Sequence, residues 1–223
     1  MFNDLITRYE QLALAAEQAF EQMRGEYPEE VKCERGCIDC CHALFGLFLI
    51  EAAYLREKFE QLGPDRKREV LARAGEAEEQ LRRIQERLKA AYPDDPDMQA
   101  YAMARERVRC PFLNDRGECA GYPFRPITCR VYGIPVTVQG AGRACWKAAF
   151  APGRPYPAFN LDRVYRELHE LSRALLEKAG QQDLDRASLL LPVSTALKTP
   201  PQSLLRGEPP INENAPDPRG TEE

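Results

Sequence analysis

No stretch of the chain is apolar for long enough to span a bilayer. The opening residues, MFNDLITRYEQLALAAEQAFEQMRGE, carry a charge every few positions in place of a basic leader followed by an apolar run. The expectation is therefore a cytoplasmic chain with neither signal peptide nor membrane anchor. A glycine-rich phosphate or cofactor loop, a nucleophile elbow and a His-Glu-x-x-His run are also missing, which removes the common enzyme signatures. The net charge of −4 offers no basic surplus for a general nucleic-acid partner. No internal repeat is present, and histidine is confined to His42 and His169.

What the chain does have is 8 cysteines in 223 residues. A domain of this length can build its own core and has no need of the disulfides that staple very small secreted domains. In a reducing compartment, clustered thiols are ligands or redox groups. Four fall in one run, Cys33-Glu-Arg-Gly-Cys37-Ile-Asp-Cys40-Cys41, and the others are spread out as Cys110, Cys119, Cys129 and Cys145. The short spacings let a turn aim several sulfurs at one point, with Gly36 free to take the positive φ such a turn needs. Thiolate suits zinc or the iron of an iron–sulfur cluster, and magnesium and calcium are excluded.

Eight is twice four. Two four-thiolate sites and one site with a spare redox-active set both satisfy the count, and the adjacent pair Cys40-Cys41 permits two nearby centres. A single cysteine such as Cys41 or Cys145 can also be a buried apolar filler. Lys32, Arg35, Arg109, Arg130, Arg143 and Lys147 lie within two residues of a cysteine, where a positive charge favours thiolate and offsets an anionic centre. His42 follows the run directly and reads as a ligand, an acid/base group or a packing residue. His169 reads as a surface residue.

The periodicity is mainly helical. Phe2, Leu5, Ile6, Tyr9, Leu12, Ala16, Phe20 and Met23 form an amphipathic stripe over residues 2–24, which Asn3 or Asp4 would cap. A second helix is expected over 44–62, with Glu51 as a lone charge among apolar neighbours. A third starts at Pro64 and carries Val70, Ala74, Ala77, Leu81, Ile84 and Leu88, a seam expected to pack against the first helix as an antiparallel hairpin or bundle. Residues 110–158 have little helical period and only Tyr132–Val138 looks strand-like, so a bound metal is expected to order them. Asn160 caps a last clear helix that stops at Gly180, and a short helical region is expected around 184–197. The expected fold is mainly α: a single helical-bundle domain over 1–198 with an irregular, loop-rich metal-binding segment at about 30–147, and a polar, Pro-rich disordered tail over 199–223.

The cysteine order, Cys33-x3-Cys37-x2-Cys40-Cys41, then Cys110-Pro111-Phe112-Leu113, Cys119 and Arg125-Pro-Ile-Thr-Cys129-Arg130-Val-Tyr-Gly133, resembles the YkgJ-like cysteine-cluster family of zinc- or iron-chelating domains. The resemblance implies ligand roles for Cys33, Cys37, Cys40, Cys41, Cys110, Cys119 and Cys129, with Cys145 as an extension. A similar cluster in flagellin lysine-N-methylases is associated with an iron–sulfur centre. One departure is Cys119-Ala-Gly-Tyr122, where many members have Ile-Tyr directly after the cysteine. Within the shared residues, Cys-Pro-Phe-Leu should shield the site with two apolar side chains, and Asn114-Asp-Arg-Gly117 should turn the chain back toward Cys119. Arg125 or Arg130 is expected to pair with Glu51 and join the loops to the bundle.

Three functions follow: a metal-binding protein with a structural or electron-transfer role, whose cofactor is zinc or an iron–sulfur cluster; an enzyme using the centre beside a substrate pocket, such as a protein side-chain methylase; or a thiol redox switch. A protein partner or substrate fits each of them, while a membrane or a nucleic acid is not expected.

Overall fold

The chain is described by a computed structural model over residues 2–34 and 36–208. Helix α1 (Asn3–Glu26) buries Leu5, Tyr9, Ala13, Ala16, Phe20 and Met23, spaced three or four apart as the sequence stripe requires. Neither Asn3 nor Asp4 caps it. The cap position is Phe2, and Asp4 instead pairs with Lys178 across the molecule. Helix α2 (Leu49–Glu60) starts later than expected, because Leu47 exchanges backbone hydrogen bonds with Leu191 and residues 44–48 form no helix. Helix α3 spans Pro64–Ala91 with Pro64 in its first turn, and α4 spans Pro96–Met103, capped by the Asp95 carboxylate on the Met98 N–H.

The loop-rich middle holds the short α5 (Ile127–Arg130) and a small sheet of order β2-β1-β3. Strand β1 (Val136–Val138) pairs antiparallel with β2 (Ala141–Arg143) and parallel with β3 (Phe159–Asn160). The strand expected over Tyr132–Val138 thus forms only in its second half, and Tyr132 and Gly133 lie in a turn beside the cysteines. Helix α6 (Leu161–Lys178) begins at Asn160, whose side chain accepts the Arg163 N–H, and is followed by Gly180 at φ 70°. Helices α7 (Val193–Lys198) and α8 (Pro201–Arg206) end the described chain.

The main core joins α1, α2, α5 and α6. A second cluster sets Val70 and Ala74 of α3 against Leu55 and Phe59 of α2, Leu197 of α7, and Phe112. A third covers Ala77 to Leu88 of α3 with Val108, Leu44 and Met103. Helix α3 therefore packs mainly on α7 and α4, not as a hairpin against α1. Its apolar seam is real, but α6, with a longer run of leucines, takes the face of α1. Helix α8 lies past residue 199 and buries its own Leu204. Arg186 holds this end by donating to the Leu204 and Leu205 carbonyls. The rest of the expected tail, 209–223, lies outside the described residues, as does Arg35. Among the described residues no helix is long and apolar enough to cross a membrane.

Candidate metal centre

The two cysteine groups meet through backbone pairing. After Cys33, turns closed by the Cys37 N–H on Glu34 and the Cys41 N–H on Ile38 coil the run upon itself, with Gly36 at φ 93° as the spacing required. The segment at 107–110 then runs antiparallel beside it. Ala43 bridges Arg107, the Val108 N–H reaches the His42 carbonyl, and the Cys110 N–H donates to the Cys41 carbonyl at 2.7 Å. From Cys110 the chain turns at Asn114, whose Oδ1 accepts the Arg116 and Glu118 N–H groups, and a bridge between Leu113 and Cys119 brings the next thiol back. Phe112 and Leu113 are buried as expected, and Phe112 stacks edge-on with Phe59 and Phe124. Cys129 arrives on α5, which α1 supports from behind.

All eight thiols are unpaired and none is fully exposed. Cys33, Cys37, Cys40 and Cys145 line a hollow of about 10 Å³, room for one water-sized particle, together with Lys32, Tyr132, Gly133, Lys147 and Ala148. On the inner side, the Cys40 and Cys41 sulfurs stand 4.0 Å apart and Cys41 also hydrogen-bonds Cys119. Cys110 and Cys129 lie close enough to Cys40 and Cys41 for their charges to interact. Among the described residues, no three His, Cys, Asp or Glu side chains stand in a ready-made ion-holding arrangement. The thiols share a neighbourhood without closing a coordination sphere.

Proximity and burial favour the protonated form of Cys33, Cys40, Cys41, Cys110, Cys129 and Cys145. Burial, with Cys37 and Cys40 nearby, pushes Cys33 up to about 11, and burial alone leads the rise of Cys110 to about 12. The hydrogen bond to Cys119 leads the rise of Cys41 to about 11, and the bond to Cys41 leads that of Cys40. Burial drives Cys129 strongly upward and Cys145 upward. Arg125 opposes the rise at Cys33, Cys40 and Cys129. A cation among the sulfurs would reverse the balance, since thiolates are its natural ligands. The donor set fits zinc or thiolate-bound iron. So does Gly133, where a Cβ would sit 2.5 Å from the Cys33 Cβ, leaving only glycine able to let the chain approach so closely.

Asp39 is the residue the sequence reading overlooked. It lies between Cys37 and Cys40, is 3% exposed, and gathers three distant segments. Arg107 donates to its Oδ1 at 2.8 Å, Tyr132 OH to Oδ2 at 2.9 Å and the Trp146 indole N–H to Oδ1 at 3.3 Å, while the Cys145 sulfur lies 3.9 Å from Oδ2. Burial works to raise its pKa, but the Arg107, Tyr132 and Trp146 hydrogen bonds outweigh it and hold the carboxyl below its ordinary value. A buried carboxylate among thiols needs such cationic and hydrogen-bonding partners. That requirement was the signal available in Cys-Ile-Asp-Cys.

The expected pairing of Arg125 or Arg130 with Glu51 is replaced by another. Both guanidiniums bind Glu17 of α1, with Arg125 Nη2 and Arg130 Nη1 each at 2.8 Å. Glu51 is buried and accepts the Ile127 N–H at 3.2 Å, so it joins α2 to α5 through the backbone. Tyr122, left open by the spacing departure, lies beneath the Arg125 guanidinium at 3.9 Å. Of the cations near the cysteines, Lys32 and Lys147 line the hollow, Arg109 pairs with Asp115, and Arg143 is exposed on β2. The His42 Nδ1 faces the Ile38 carbonyl at 3.1 Å, a contact that braces the cysteine turn. His169 borders an open groove of about 470 Å³ with Phe48, Tyr165, Arg166, Glu170 and Ser188, which no cysteine lines.

Fold and site together define a mainly helical cysteine-cluster protein of the metal-chelating class. The chain belongs to the CxxCxxCC family, whose profile, described as "Putative zinc- or iron-chelating domain", matches residues 32–145 and so ends on Cys145. No curated protein and no solved structure matches the chain.

Proposed function

We propose that the chain is a metal-binding protein in which Cys33, Cys37, Cys40, Cys41, Cys110, Cys119, Cys129 and Cys145 supply thiolates to zinc, and that the metal ties the loop-rich segment to the helical scaffold. The observation that carries this reading is that Cys33, Cys37, Cys40 and Cys145, unpaired thiols from separate stretches of chain, line one hollow, with the Cys41 sulfur 4.0 Å from that of Cys40. Two thiolates on one tetrahedral zinc, each at about 2.3 Å, stand about 3.8 Å apart. The Cys40 and Cys41 sulfurs, at 4.0 Å, are close to that spacing, and the hollow has room for a single ion.

A second reading, an iron–sulfur centre serving electron transfer, is favoured by Arg125, a largely buried cation whose charge reaches three of the thiols. Such a charge offsets an anionic cluster. An enzyme reading would need a substrate pocket beside the thiols, and the larger groove lies away from them.

Purification without oxygen, a visible spectrum, and zinc, iron and acid-labile sulfide per chain test the proposal. A colourless protein with stoichiometric zinc is expected. A brown protein with sulfide overturns zinc in favour of the second reading, and a folded, metal-free protein overturns both. Cys37→Ser should lower metal content and melting temperature together, because ligation and folding are coupled in such sites.

A further inference from the structure

Helix α6 matches its charges along most of its length. Asp162 accepts the Gln139 and Gly140 N–H groups, Arg163 pairs with Glu167, Arg173 with Glu177, and Lys178 with Asp4. Arg166, His169 and Glu170 are left, and among the described residues none of the three has a hydrogen bond or an ion pair. Arg166 and Glu170 stand one turn apart, the spacing at which such residues ordinarily pair on a helix, yet they do not. These three are also what α6 contributes, with Tyr165, to the open groove of about 470 Å³. The rest of the lining is braced. The Phe48 and Tyr165 rings stand 5.6 Å apart. Phe48 is held by its N–H on the Glu51 carboxylate, Tyr165 by its hydroxyl on that of Thr128, and Ser188 by the turn that Arg186 ties to the Leu204 and Leu205 carbonyls. Small-molecule sites have volumes of about 300–1,000 Å³ and combine apolar walls with a few polar groups, as this groove does.

We propose that the groove binds a free aromatic α-amino acid, with Arg166 and His169 taking its carboxylate, Glu170 its ammonium group, and Phe48 and Tyr165 its ring. A guanidinium meets a carboxylate through two parallel N–H donors, and two aromatic rings give a third an edge-on or offset seat. The unmatched charges on α6 are of both signs, so a zwitterion satisfies all of them at once. An anion without the ammonium group leaves Glu170 unmatched, and an amine without the carboxylate leaves Arg166 so. No cysteine lines the groove, and the inference stands apart from the metal-binding reading.

The test titrates L-phenylalanine calorimetrically into the full chain, against hydrocinnamate, phenethylamine and L-alanine, which lack the ammonium group, the carboxylate and the ring in turn. L-Phenylalanine should bind with a Kd below about 1 mM, and each of the other three about tenfold or more weakly. Arg166→Gln and Glu170→Gln, both at exposed positions, should each weaken L-phenylalanine by about tenfold. Arg163→Gln, which breaks the Arg163–Glu167 pair outside the groove, should leave its Kd unchanged. If a groove variant misfolds, the truncated ligands still decide the matter on wild-type protein. Absence of binding at about 10 mM L-phenylalanine overturns the site. Hydrocinnamate binding as tightly as L-phenylalanine overturns the zwitterion, and an unchanged Kd in both groove variants overturns the assignment to this groove.

Discussion

The Glu51 carboxylate on α2 accepts the Ile127 N–H at the start of α5 at 3.2 Å, and its other oxygen accepts the Phe48 N–H at 3.3 Å. Burial pushes its pKa up to about 7, against an ordinary 4.5, although both backbone bonds pull it down. A carboxyl with a raised folded-state pKa binds a proton more tightly in the folded chain. Its contribution to stability is full below the ordinary value and is lost as pH rises toward 7, by up to about 3 kcal/mol. Glu51→Gln stays neutral and can still accept the Ile127 N–H. Melting curves from about pH 5 to pH 8 should show wild type losing stability relative to this variant, and parallel curves would refute the assignment.

Glu17 and Arg125 should separate structure from charge. Glu17→Gln leaves two largely buried guanidiniums without their carboxylate and should cost about 2 kcal/mol in chemical denaturation. It also leaves the positive charge of Arg125 uncompensated beside the thiols, so metal affinity should hold or rise. Arg125→Gln removes that charge and should weaken metal binding by about 10- to 100-fold, as loss of a supporting group around a metal site does. If both variants weaken metal binding equally, the triad is only a clamp. The Arg125 Nε is buried without a hydrogen-bond partner among the described residues.

Helices α1, α3 and α6 were legible in the sequence because their apolar residues recur at helical steps, and the Asn114 turn because its residue types dictate it. The partner of α3 was not. A stripe states that a face is buried, while the choice between α1 and α7 depends on how the Leu47–Leu191 bridge folds the end of the chain back. All eight cysteines were legible as a candidate set, whereas their division around Cys40 depends on the pairing of 107–110 with the cysteine run. Arg125 and Arg130 stand out in the sequence, but the acidic residue its pattern marks for them is Glu51, isolated among apolar residues. Glu17, on a helix rich in glutamate, carried no such mark.

Asp39 holds Trp146, the sole tryptophan, by its indole N–H, although the side chain is 76% exposed. Asp39→Ala removes that anchor and leaves Arg107 and Tyr132 without their shared acceptor. Trp146 emission should lose anisotropy, and the melting temperature should fall by the equivalent of about 2–3 kcal/mol. Asp39→Asn keeps an acceptor oxygen and should restore most of the anisotropy. Equal loss in both variants would show that charge, not the hydrogen bond, holds the indole.

Gly133 offers the sharpest steric test of the site. A methyl group there would lie 2.5 Å from the Cys33 Cβ, 3.3 Å from its sulfur and 3.2 Å from the Phe20 ring. The nearest of these atoms is fixed to the backbone and cannot swing aside, so Gly133→Ala must displace Cys33 itself. A cost of about 1–3 kcal/mol is expected from the overpacking. Metal content should fall with it, because the displaced sulfur faces the hollow. Gly142 on β2, where an added Cβ meets nothing within 4 Å, is the control, and Gly142→Ala should change neither quantity. Retention of full metal content by Gly133→Ala would remove Cys33 from the ligand set, whatever happened to stability.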